Sequence, residues 1–124
     1  MASTCPSLST ARPEVFGPPT WYVLHTLAQQ FPDLPTVSQA EACRGFVGAL
    51  PYMLPEGESA ASFQRFGVDY AASLGNMCAN GPALRQFFCN AHNYANQHVG
   101  KPPLNCDPVN LLAMYGTAPM CVSS

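Results

Sequence analysis

Charge is what this sequence has least of. Five of its 124 residues are Lys or Arg and seven are Asp or Glu, so 10% are charged and the net charge is −2. About a quarter is usual for soluble domains. So weak a cationic balance gives no electrostatic case for nucleic acid as a partner. No apolar run approaches the ~20 residues of a membrane-spanning helix, so no membrane partner is expected either. The opening stretch MASTCPSLSTARPEVFG lacks the apolar core of a secretory signal and holds one arginine. Residues 1–16 therefore read as a flexible N-terminal arm. No two cysteines are spaced C-x-x-C, which leaves neither a zinc ribbon nor a redox pair of adjacent cysteines, and no metal site is expected. Internal repeats and strand-like alternation are also missing.

The chain does have apolar bulk, 48% of its residues, and a length suited to one domain with one core. With so few charges, much of its surface must be neutral or buried. Burial against a second subunit, a large ligand, or both would account for this. Six cysteines (Cys5, Cys43, Cys78, Cys89, Cys106 and Cys121) are many for a reducing compartment and few for a disulfide scaffold. Spacing alone does not choose among their pairings. Cys5–Cys121 could bridge the two arms, and Cys43–Cys78 could tie a helix to a turn. Cys43 could equally be a buried free thiol.

Periodicity predicts five helices. The first runs from Pro18 to Phe31, with Trp21, Leu24, His25 and Ala28 on one face. The second runs from Val37 to about Leu54, capped by Thr36 or Ser38, with Pro51 expected to kink it or end it early. The third spans about Glu58 to Leu74, and GNMCANGP follows as a turn. The fourth spans about Ala83 to Val99. The fifth, Pro108 to Tyr115, takes Asp107 as N-cap and proline at its first position. The expected fold is all-α: a four-helix bundle plus a short fifth helix, with a tail from residue 117 to 124.

The fourth helix carries the unusual chemistry. Cys89, His92, Asn93 and Asn96 fall at i, i+3, i+4 and i+7, on the face that should otherwise be apolar. Leaving buried amides and imidazoles unpaired would cost about 1–3 kcal/mol each. A planar ligand with donors and acceptors would satisfy them; the alternative is a face open to water. Trp21 and His25, one turn apart, could form a stacking wall; a core tryptophan beside a capped histidine is the plainer alternative. His98 reads as a helix-end residue near the negative pole of the dipole.

Two segments together resemble one family. GPPTWYVLHTLAQQFP, Gly17 to Pro32, looks like a G-x-x-x-W-x-x-L-H-x-x-A motif. CNAHNYANQHVGKPPLNC, Cys89 to Cys106, looks like C-x-x-H-N-x-x-N-x-x-x-x-K-P with a closing cysteine. Both are features of the Erv/ALR flavin-linked sulfhydryl oxidases, and the resemblance runs from about Gly17 to Tyr115. It implies FAD held in a disulfide-stapled helical domain over residues 17–116, usually as a homodimer. It implies a cofactor site drawn from Gly17, Trp21, His25, Cys89, His92, Asn93 and Asn96, with Lys101 near the phosphates. It also implies a structural disulfide, Cys89–Cys106. Family members work in the mitochondrial intermembrane space, the secretory pathway or the cytosol of virus-infected cells. Without a signal segment, a cytosolic, viral or intermembrane location is expected.

The departure lies in PEGESAASF, Pro55 to Phe63. Locally it is a helix start, with proline near the first turn and acids at the positive pole. In the family this frame holds a C-x-x-C pair that takes electrons from substrate thiols and passes them to the flavin. Here Glu56 and Ser59 occupy the two places. A carboxylate cannot undergo disulfide exchange, and a serine hydroxyl is far less acidic than a thiol. Cys43 is no stand-in, lying roughly 20 Å down a straight helix from position 56. Three readings follow: an FAD-binding protein without ordinary thiol oxidase activity; an active oxidase, natural or engineered, that makes disulfides in protein thiols, with Cys5 or Cys121 of a partner subunit as one route to the flavin; or a cofactor-free helical interaction module.

Overall fold

The computed structural model describes residues 13–54 and 73–116. Four helices lie within them: α1 (Pro13–Gln30), α2 (Val37–Met53), α3 (Gly81–Val99) and α4 (Pro108–Tyr115). Residues 73–77 form a further helical turn, and the described residues contain no strand. Most of the predicted third helix, the Glu56/Ser59 frame, Cys5, Cys121 and the tail lie outside the described residues, as does the arm up to residue 12.

Local capping fixes most boundaries. Thr36 opens α2 with a capping box: its hydroxyl accepts from the Gln39 N–H at 3.1 Å, and the Gln39 side chain accepts from the Thr36 N–H at 2.8 Å. Pro51 lies inside the last turn of α2, which runs on to Met53, close to the predicted Leu54, so the proline does not end the helix early. Asn80 caps α3 by accepting from the Ala83 N–H at 2.8 Å, so α3 starts at Gly81, two residues before the predicted Ala83. Gly100, at φ 76°, closes α3 in the left-handed conformation that suits glycine. The Lys101 N–H reaches the Asn96 carbonyl at 2.8 Å, a Schellman arrangement. Asp107 caps α4 through the Val109 N–H at 2.8 Å.

Two boundaries differ from expectation. α1 begins at Pro13, not Pro18, so residues 13–16 belong to the helix and not to the arm. Pro18 and Pro19 lie inside it; each removes one ladder hydrogen bond, yet proline's fixed φ is itself helical. The helical turn ends at Met77, not Leu74, and only Cys78–Asn80 form the turn that GNMCANGP predicts.

The core is one cluster. α1 gives Trp21, Leu24 and Ala28; α2 gives Cys43, Val47 and Leu50; α3 gives Leu84, Phe88, Ala91 and Ala95. Met77 and Cys78 complete it. The spacings of three, four and seven are those of single helical faces. Two disulfides staple this arrangement, Cys43–Cys78 and Cys89–Cys106. The first joins α2 to the turn before α3, which excludes the free-thiol alternative for Cys43. The second ties α3 to the approach to α4. α1 packs against both α3 and α4, and Leu111 of α4 is buried. Arg85 of α3 bridges to Asp33 at 3.1 Å and donates to the Ala28 carbonyl at 3.4 Å. A cation at the end of α1 also complements its dipole.

Candidate functional site

α3 presents two adjacent stripes. Gly81, Leu84, Phe88, Ala91 and Ala95 face the core. Beside them run Cys89, His92, Asn93 and Asn96. Cys89 and Asn96 are buried, and His92 and Asn93 are half-buried. The polar face therefore packs inward and is not simply open to water. Opposite it, α1 supplies Trp21, 5% exposed, and His25, 2% exposed. Gly17 of α1 is buried and Lys101 is exposed.

Rings meet where α1, α3 and α4 converge. The Trp21 indole stacks on His92 with centroids 4.5 Å apart and planes 3° apart. His25 stacks on Tyr115 at 4.3 Å and 12°. The two imidazoles are joined by a hydrogen bond, His25 Nε2 to His92 Nδ1, at 2.8 Å. Trp21 and His25 themselves are tilted by 38° at 6.1 Å, so the expected indole–imidazole wall forms between helices and not along α1. Tyr22 meets Tyr115 edge-on at 5.9 Å.

The electrostatics keep this cluster neutral. Burial, reinforced by His92, lowers the His25 pKa to about 3. Burial, reinforced by the Lys101 ammonium, lowers that of His92 to about 4. Two neutral imidazoles supply the one N–H and one lone pair that their hydrogen bond needs. Burial also raises the Tyr115 pKa, which keeps its phenol protonated.

Asn93 has a different environment. Its Oδ1 accepts from the Leu104 N–H at 2.6 Å and from Asn96 Nδ2 at 3.2 Å. Its Nδ2 donates to the Leu104 carbonyl at 2.9 Å and approaches Cys106 Sγ at 3.4 Å. The amide thus joins α3 to the segment before α4. Tyr115 and this clamp were not foreseen from the sequence. Both are contacts between elements, and helical spacing carries no signal for them.

The donor set suits a flat heteroaromatic ligand bearing anionic groups: stacking faces at Trp21 and Tyr115, neutral imidazole edges, an amide at Asn96 and a cation at Lys101. These features define a small all-helical domain, stapled by two disulfides, with a ring-lined polar site between its helices. The chain belongs to the Erv1/Alr family, whose profile matches residues 18–115. It is 33% identical over 97 residues to FAD-linked sulfhydryl oxidase ERV1 of Oryza sativa subsp. japonica, covering 78% of this chain and 48% of that protein. It is 32% identical over 97 residues to the Arabidopsis thaliana protein of the same name, covering 78% and 49%. The chain thus spans about half the length of these curated relatives. Its fold is similar to that of solved structures of Erv1 from Saccharomyces cerevisiae. A cysteine-to-serine double mutant matches with TM-score 0.68 and 24% identity over 82% of this chain and 81% of that one. The yeast Erv1 core matches with TM-score 0.68 and 23% identity, over 83% of each chain. At that identity the likeness is one of fold.

Proposed function

We propose that this protein binds FAD between α1, α3 and α4 and lacks ordinary thiol oxidase activity. One observation carries the reading: Trp21, His25, His92 and Tyr115 stand together where α1, α3 and α4 converge, while no C-x-x-C occurs anywhere in the chain. Relatives named FAD-linked sulfhydryl oxidases support FAD as the ligand. Trp21 and Tyr115 would offer stacking faces, His25, His92 and Asn96 would meet polar edges, and Lys101 would offset phosphate charge. When bound, the flavin supplies a two-electron acceptor. The chain's own part is to exclude water and to hold the two imidazoles neutral.

Thiol oxidation needs a sulfur pair that exchanges with substrate thiols and delivers electrons onward. We place that pair's frame at Glu56 and Ser59, where neither side chain can do this. The four described cysteines are all in disulfides. The purified protein should be yellow, with no oxygen uptake when dithiothreitol is added. Glu56→Cys with Ser59→Cys should create that uptake. A restored pair that binds FAD and stays inert would refute the placement of the frame. Uptake by the unaltered chain, abolished by Cys5→Ser with Cys121→Ser, would instead establish an active oxidase acting on protein thiols.

A homodimer fits the surface. Val23 and Leu27 of α1 and Phe46 of α2 are roughly half exposed. A groove of about 350 Å³ opens beside Leu27, Phe31, Phe46 and Phe88. Sedimentation should give twice the monomer mass, falling to one on Leu27→Glu with Phe46→Glu.

A further inference from the structure

We propose that Asn93 is a positioning residue for the cofactor site and not one of its ligands. An Asn side chain has two acceptor lone pairs and two N–H donors. All four are engaged within this chain: Oδ1 by the Leu104 N–H and by Asn96, Nδ2 by the Leu104 carbonyl and by Cys106 Sγ. The orientation of the amide is fixed by the backbone it grips, because Leu104 presents its N–H to one side of the amide and its carbonyl to the other. A ligand would have to break one of these bonds to use Asn93.

What Asn93 holds is the segment that carries Lys101. That segment is fixed to α3 at its start, by Lys101 N–H to the Asn96 carbonyl, and at its end, by Cys89–Cys106. Among the described residues, the hydrogen bonds that tie its middle to α3 all come from Asn93. Lys101 lies close enough to His92 for its charge to act on that ring. The Nδ2 of Asn96, a buried member of the same face, is oriented by the same Asn93 oxygen. Asn93 therefore sets where one cation and one amide stand relative to the Trp21–His92 stack. This rests on the reading of the site as one for FAD.

The test is a double-mutant cycle on FAD affinity, measured by quenching of flavin fluorescence, with Asn93→Ala, Lys101→Gln and both together. Loss of one well-placed interaction is worth about tenfold in affinity. Each single variant should weaken FAD by about tenfold, and the double variant by little more than the stronger single. Riboflavin, which lacks phosphate, should bind the Lys101→Gln variant as it binds the unaltered protein. Losses that multiply to about a hundredfold in this double variant, and again when Asn93→Ala is combined with Asn96→Ala, would make Asn93 a ligand in its own right and overturn the proposal. Asn93→Ser is uncharged and too short to span both Leu104 groups, and it should give the same non-additivity should Asn93→Ala fail to fold. Amide exchange at Leu104 should quicken in either variant while the amides of α3 stay protected; unchanged exchange would also overturn the proposal. Failure of the unaltered chain to bind FAD at all would overturn the cofactor reading itself, and with it any role of Asn93 in binding.

Discussion

Removing the Cys43–Cys78 bridge should cost this protein a large part of its stability. The two cysteines are 35 residues apart in sequence, and their side chains lie in the core at 7% and 0% exposure. Replacing both with alanine opens the loop in the unfolded chain while leaving the helices free to pack. Serine would instead bury two hydroxyls, an unrelated penalty. The chain-entropy relation for a loop of this length gives ~13 cal/mol/K, or about 3.8 kcal/mol at 25 °C. Domains of this size are stable by about 5–15 kcal/mol, so the loss is a sizeable fraction of the whole. The same relation gives about 3.1 kcal/mol for Cys89–Cys106, whose cysteines are 17 residues apart. Urea titration followed by far-ultraviolet circular dichroism measures both. The Cys43→Ala/Cys78→Ala variant should unfold at lower urea with a steeper dependence on denaturant, because its unfolded ensemble exposes more surface. A loss below about 1 kcal/mol with an unchanged slope would refute the reasoning, as would peptide mapping that finds both thiols free.

Stability should fall in mild acid. The pKa values of His25 and His92 are depressed in the folded protein, so their contribution is complete above about pH 6.5 and is lost as pH falls toward their folded values of about 3 and about 4 respectively. At pH 4.5 His25 alone should cost roughly 2–3 kcal/mol and half-buried His92 less; His25→Gln with His92→Gln should flatten the urea midpoint across that window. Gly81→Ala should destabilise by about 1–3 kcal/mol, measured by thermal unfolding. A Cβ there would stand 2.7 Å from the Phe31 carbonyl oxygen, a backbone atom that cannot swing aside, and as close to Asp33 and Arg85. Asn80→Ala should cost about 1 kcal/mol through loss of the cap on α3, whereas Asn80→Asp should retain most of it.

What could be read from the sequence followed the range of the signal. Thr36 with Gln39, and Asp107 with Pro108, are caps complete within four residues, and both helix starts match expectation. Pro18 misled because local preference favours proline in a first turn, whereas α1 gains Trp21, Leu24 and Ala28 in the core and tolerates two missing ladder bonds. The polar stripe on α3 was legible because period fixes which residues share a face. Their separate duties were not. In projection His92, Asn93 and Asn96 are equivalent; in space His92 commits one ring nitrogen to His25, Asn96 commits its amide nitrogen, and Asn93 commits everything it has to Leu104, Asn96 and Cys106. The difference arises because the Schellman turn at Gly100 and the Cys89–Cys106 bridge bend the following segment back over Asn93 and not over its neighbours. A polar side chain on a site face becomes a ligand candidate only after the chain's own demands on it have been counted. By that count the face offers His92 and Asn96, with Asn93 holding in place the segment that carries Lys101.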